Sequence, residues 1–162
     1  MPKSGRNHSK NVFNLKRLEA SKSDSRLSSR ESAAEMLESN RTRLIRIEHG
    51  DVNPQPDEVM AMAKAYGTPE LLNHYCSQIC PIGKNNVPHI ELSTFDRMAR
   101  KGLAAIHRAK IAENILVRIA PDGEIREGEE AQLLKVLHIL QSVEKVTLEM
   151  EIYIKKNLKG CE

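Results

Sequence analysis

The chain has 162 residues, enough for one compact domain or two small ones, and its 40% hydrophobic content excludes a wholly disordered protein. With no Trp and only five Phe or Tyr, its cores must be built from Leu, Ile, Val, Met and Ala, a mixture that suits packed helices rather than a β-sandwich. The net charge of +3 hides an asymmetry: residues 1–50 hold 11 Lys or Arg against 6 Asp or Glu, while residues 51–162 hold 14 against 16, so the potential that favours a polyanion lies in the first third.

Residues 1–11 are polar and basic, with Pro2 and Gly5, and read as a flexible arm. Val12, Leu15 and Leu18 then mark a short amphipathic helix to Ala20, ended by the Ser-rich SKSDSRLSS. Ser29 is the expected N-cap of the next helix. From Ser29 to Gly50 two short helical patterns are joined across Glu38 to Asn40, with Ala33, Ala34 and Leu37 on one inner face and Leu44, Ile47 and a partly covered Glu48 on the other. The outer side of the second is basic, with Arg41, Thr42, Arg43 and Arg46. This is the pattern of a helix-turn-helix, whose second helix fits the roughly 12 Å major groove of B-DNA, where arginine donates two bonds to guanine.

Gly50 is an αL-compatible stop, DVNPQPDE a loop, and Val59, Met60, Met62, Ala63 and Tyr66 a fourth helix closed by Gly67. Thr68 followed by Pro69 predicts a cap with proline at the first helical position, opening a fifth helix through Leu71, Leu72 and Tyr75. Residues 12–79 thus form one small domain. CPIGKNNVPHIEL, within residues 80–92, lacks a helical period and reads as a linker.

Beyond it, Phe95, Ala99, Gly102, Ile106, Ala109, Ala112, Leu116 and Ile119 recur at steps of three and four and predict a helix over 93–120, roughly 40 Å long at 1.5 Å per residue. Pro121-Asp122-Gly123 turns the chain, and Leu133, Val136, Leu137, Leu140, Val143, Thr147, Met150 and Ile154 repeat the rhythm in a second helix, giving an antiparallel coiled-coil-like hairpin over 93–158. Its remaining apolar residues, among them Ile111, Ile115, Ile139 and Val146, predict a further partner surface, with a homodimer as the expected outcome. EMEIYIK, residues 149–155, also alternates with a period of two and admits a local strand. The fold class expected is all-α: a five-helix DNA-binding domain followed by a long two-helix hairpin.

The stretch from about Leu15 to Tyr75 resembles the Cro and C1 repressor (XRE-like) type of helix-turn-helix domain, a five-helix lambda-repressor-like module of bacterial and phage regulators. The resemblance rests on Ala34 where two helices touch, Leu44 and Ile47 inside, the run Arg46-Ile47-Glu48-His49-Gly50, Asn53-Pro54, and Ala63-Lys64-Ala65-Tyr66-Gly67. It implies that Arg41, Thr42 and Arg43 read base edges and that Arg30 and Arg46 contact phosphate, with Lys16, Arg17 and Asn40 as further phosphate contacts. Glu38 and Ser39 depart from the Gly and apolar residue usual in the family's turn; a non-Gly residue in αL there costs roughly 1 kcal/mol. Tyr75-Cys76 and Cys80-Pro81-Ile82-Gly83 resemble a cysteine pair of prophage-type members.

No apolar run approaches the roughly 18 residues of a membrane span, and MPKSGRNHSK lacks the apolar segment of a secretory signal, so the expected setting is the cytoplasm. Cys76, Cys80 and Cys161 form no disulfide framework and read as reduced thiols. His74, Cys76, Cys80 and His89 are donor types that zinc takes, but the C-x3-C spacing lacks a second pair, so no metal is expected. Asp122-Gly123-Glu124 lacks calcium-loop spacing, His107 and His138 have no catalytic companions, and no nucleophile set or phosphate loop occurs. No enzyme activity, cofactor or small-molecule ligand is therefore expected. The sequence predicts a DNA-binding regulator, a repressor acting on double-stranded operator DNA as a homodimer; the alternative is a helical adaptor whose helix-turn-helix is only a scaffold.

Overall fold

The computed structural model describes residues 11–119 and 125–158. All regular structure there is helical, in eight α-helices: α1 Val12–Ala20, α2 Arg30–Met36, α3 Arg41–His49, α4 Pro56–Tyr66, α5 Glu70–Gln78, α6 Gly83–Asn86, α7 Phe95–Ile119 and α8 Glu130–Asn157, with a 3-10 turn at Ser25–Leu27. The possible strand at 149–155 is instead the last part of α8. The expected arm before Asn11, the Pro121-Asp122-Gly123 turn and Cys161 lie outside the described residues.

The chain divides into two units after His89. In the first, polar side chains set the helix starts. Asn11 Oδ1 accepts from Phe13 and Asn14 amides, Ser29 from Ser32 and Asn40 from Thr42, satisfying donors that the first helical turn leaves unpaired. A capping box joins Gln55 and Glu58 at the start of α4, where Pro56 occupies the first turn. Gly50, at φ 75°, closes α3 in the left-handed conformation open to a residue without Cβ. Thr68 does not act as a cap: its hydroxyl is buried without a hydrogen-bond partner, and Pro69 holds the N-cap position of α5.

The core of this unit joins Phe13, Leu27, Ala33, Ala34, Leu44, Ile47, Val59, Met62, Ala63, Tyr66 and Leu71. Residues 80–92, read from sequence as a linker, contain α6, which packs on α5. The reason is steric. A Cβ on Gly83 would stand 2.2 Å from the Cys76 carbonyl oxygen, so glycine alone allows this backbone approach.

The second unit is the α7–α8 hairpin. Its antiparallel register is fixed by Lys101 against Glu149 at 2.8 Å and by Phe95 against Tyr153 with ring centroids 5.9 Å apart. Ala112, Ile115, Ile119, Val136 and Ile139 form its core with Leu133, and Met98, Gly102, Ala105 and Ile152 are also buried. The seam read from the sequence needs correction: Phe95, Ile106 and Leu116 on α7 and Leu137, Leu140 and Met150 on α8 are exposed. The apolar arc on each helix is wider than one neighbouring helix can cover, so only one edge of each stripe is buried.

One polar group is built into this hairpin. Glu149 is 3% exposed; its Oε1 accepts from the Ser93 amide and hydroxyl, and both carboxylate oxygens accept from Lys101 Nζ. Burial opposes ionisation, but the Lys101 and Ser93 bonds outweigh it and hold the carboxyl below its ordinary value. The carboxylate thereby ties the chain just before α7 to α8.

Candidate nucleic-acid interface

Helices α2 and α3 pack together through small residues: Ala33 is fully buried and Ala34 nearly so, which lets the two axes approach. The turn between them runs through Glu38 at φ 50°, a left-handed residue other than glycine. The Ser39 amide donates to the Ala34 carbonyl at 2.9 Å and closes α2, so the tight turn is made at the cost of backbone strain at Glu38. Asn40 then starts α3.

On α3, Leu44, Ile47 and Glu48 are buried. At 100° per residue this turns Thr42 and Arg46 to the opposite side and places Arg41 on the exposed first turn. Arg41, Thr42 and Arg46 are all exposed, and among the described residues neither arginine makes an ion pair. Ile45 is half-buried on a flank and, with Arg30, Arg41, Ser29 and Asn14, lines a cleft of about 400 Å³ between α1, α2 and α3.

Glu48 organises the underside. It is fully buried and accepts from Arg17 Nε at 2.5 Å, Arg17 Nη2 at 3.2 Å and Arg30 Nε at 2.6 Å. The Arg17 guanidinium also donates to the Leu27 and Ser28 carbonyls at 2.7 and 3.2 Å and to Asn14 Oδ1 at 3.3 Å. A buried charge persists only when paired and hydrogen-bonded in this way.

Three expected contacts are corrected by this geometry. Arg17, expected at a phosphate, is 2% exposed because Glu48 and the carbonyls after α1 enclose it. Lys16, also expected at a phosphate, is held at 2.9 Å by Glu19 and at 3.1 Å by Glu70; burial opposes its charge, but these two carboxylates raise its pKa above the ordinary lysine value. Arg43, expected at a base edge, lies on the flank of α3 that faces the start of α4. Its Nε and Nη2 donate to the two oxygens of Glu58 at 2.6 and 2.8 Å. Glu58 in turn is held below its ordinary pKa, chiefly by that pair, and accepts the Gln55 amide as a cap. Arg43 therefore fastens α3 to α4 and the intervening loop.

The other candidates lie as follows. Arg30 is partly exposed beside the cleft with Nε committed to Glu48, and Asn40 is exposed with its oxygen committed to the cap. His74 packs edge-on against Phe13 and His89, with centroids 5.9 and 6.2 Å away, and burial followed by the nearby His89 lowers its pKa. No group of three or more His, Cys, Asp or Glu able to hold a metal converges among the described residues, and Cys76 and Cys80 are half-buried thiols. Among the described residues no helix is long and apolar enough to cross a membrane.

Residues 25–72 match a family model described as helix-turn-helix. The N-terminal unit carries a Cro/C1-type helix-turn-helix domain. The match takes in α2, the strained turn, α3 and α4, and reaches into α5, so α3 stands at the recognition-helix position of a DNA-binding module. Neither the curated proteins nor the solved structures give a match to the chain.

Sequence reasoning missed Ile45 and Glu58 at this surface. The helical wheel could have found Ile45, because burying positions 44, 47 and 48 puts position 45 at the rim. The pairing of Glu58 with Arg43 bridges 15 positions and two helices, and has no local signature.

Proposed function

We propose that this protein is a cytoplasmic, sequence-specific transcriptional repressor that reads operator DNA through the major groove with α3 and pairs as a homodimer through its C-terminal hairpin. Residues 12–89 serve as the DNA-binding part and residues 90–158 as the pairing part. The observation that carries the reading is the outward display of Arg41, Thr42 and Arg46 on a recognition helix anchored from below by Leu44, Ile47 and Glu48. Arg41 and Thr42 read base edges, and Ile45 offers an apolar contact of the kind a thymine methyl accepts. Arg46, Arg30 and the Asn40 amide nitrogen contact phosphates and set the register. Arg43 acts indirectly, by holding the α3–α4 loop through Glu58. In a two-fold dimer the two recognition helices address half-sites about one helical turn, roughly 34 Å, apart.

Selection of bound fragments from a genomic library tests this reading, followed by titration of the selected site against salt. The expected result is a palindromic site bound with steep salt dependence. Arg41→Ala with Thr42→Ala removes its preference over random DNA by roughly 1–3 kcal/mol per lost bidentate contact. Arg46→Ala weakens all sequences alike and lowers the salt slope by about one. No binding at about 50 mM salt would overturn the proposal in favour of the helical adaptor.

A further inference from the structure

We propose that the second copy in the dimer docks on one particular face of the hairpin, with α7 of each copy lying over α8 of the other, so that the four helices form a bundle whose two-fold axis runs along the helices. This rests on the homodimer reading above and specifies its surface, its symmetry and the charges that select it.

The two faces of the hairpin differ. On one, Gly102, Ala105, Ile106, Val143, Thr147 and Met150 border an apolar groove of about 280 Å³, deepened where Gly102 offers no side chain. Ile106 is 70% exposed, and Leu140 and Met150 add exposed apolar surface on the α8 side. Glu113, paired with Lys110 at 2.8 Å, interrupts the α7 row and bounds the patch toward the far end of the hairpin. The opposite groove is bordered by Arg108, Lys135 and His138 around Leu134 and Ile139. Two copies meeting through that second face would bring like charges together, which disfavours it as a self-association surface.

Charge also selects the arrangement on the apolar face. The outer rim of α7 carries Arg100, His107 and Lys110 beside the acidic Asp96, and the outer rim of α8 carries Glu130, Glu144 and Glu151, all exposed. The hairpin register, set by Lys101 against Glu149 and Gly102 against Val146 and Met150, places Arg100 at the height of Glu151 and His107 near that of Glu144. With α7 over α8 of the second copy, the basic rim of each chain runs beside the acidic rim of the other at matching heights. With α7 over α7, basic meets basic and acidic meets acidic. Arg100 already pairs with Asp96 and Lys110 with Glu113 within α7, but these are exposed pairs worth little and readily exchanged.

Sedimentation equilibrium of the full chain tests the inference, with far-UV circular dichroism confirming that each variant folds. Ile106→Glu with Leu140→Glu is expected to raise the dimer dissociation constant by about a hundredfold, since both residues fall at the centre of the interface. Leu134→Glu, on the opposite groove, is expected to leave it unchanged. Arg100→Glu with Lys110→Glu makes both rims acidic, and Glu144→Lys with Glu151→Lys makes both basic. Each is expected to weaken its own homodimer about tenfold, while the two mixed together form a heterodimer at least as tight as the parent. A parent chain that stays monomeric at every concentration overturns the homodimer reading itself. A dimer broken by Leu134→Glu and not by Ile106→Glu with Leu140→Glu overturns the face while leaving the dimer standing. Failure of the mixed rims to associate preferentially overturns the α7-over-α8 arrangement alone.

Discussion

The N-terminal unit and the hairpin handle the same composition in opposite ways. In the N-terminal unit helices α1 to α5 turn their apolar residues onto a common core, and the large apolar residues left outside include Leu15, Met60 and Leu72. Its buried polar centre, Glu48, draws partners from two distant segments of the chain, Arg17 on α1 and Arg30 on α2. In the hairpin, two helices cannot enclose their own apolar arcs, and Leu103, Ile106, Leu137 and Leu140 remain outside in rows. The contrast separates two kinds of surface. A unit whose apolar groups are satisfied internally can leave its cations outward, whereas one that is not satisfied internally presents apolar surface for a partner.

The sharpest way to break the comparison is to strike the N-terminal centre. Glu48→Ala leaves Arg17 buried without its carboxylate and is expected to cost about 3–5 kcal/mol of stability, read from urea unfolding of the full chain. Replacing Arg17 by Met and Glu48 by Leu together should cost much less, because no charge is then left stranded. Equal losses from the single and double changes would show that packing, not pairing, makes this centre important.

The corresponding change in the hairpin is smaller. Glu149→Ala is expected to cost about 1–3 kcal/mol, the penalty of leaving the Ser93 amide without its acceptor, and to speed amide exchange at the start of α7. The native carboxyl sits below its ordinary value near 4.5, so its contribution is fully present above that pH and is lost as pH falls through the lower native value. Acid titration of the parent should show this loss below about pH 4.5, and the Glu149→Ala chain should lack that part of it.

Much of the helix-turn-helix is legible in residues close together along the chain. Ser29 and Gly50 announce their caps, and the 44, 47, 48 pattern gives the inner face of α3. Pairings across distance are not legible in this way: Arg17 meets Glu48 31 positions away, and Arg43 meets Glu58 15 away. A basic residue on a recognition helix therefore reads as outward until its carboxylate partner is located. In the hairpin the periodicity found both helices but not their rotation, because a broad stripe such as Phe95, Ala99, Gly102 and Ile106 does not say which edge its neighbour will cover. The period of two in residues 149–155 gave no strand, since these residues finish a 28-residue helix.

A gentler intervention concerns the turn. Glu38→Gly is expected to stabilise the N-terminal unit by about 1 kcal/mol by relieving the left-handed backbone, and to tighten DNA binding by removing an anion from the turn. Glu38→Ala removes the charge but keeps the strain, so the two variants separate these effects. The smallest expected change is at Tyr66, whose hydroxyl is buried without a hydrogen bond and whose phenol burial pushes up in pKa. Tyr66→Phe should alter stability by less than about 0.5 kcal/mol or raise it slightly, because no bond is broken.

Two guanidinium groups share the single carboxylate of Glu48, so that trio carries one positive charge in excess, and Arg30 is the member that reaches solvent. Under the proposed DNA binding, an incoming phosphate finds this surplus already fixed in place by the interior. The ordering entropy of that side chain has been settled during folding rather than at encounter. Added electrolyte should accordingly slow the rate of association more than it hastens release.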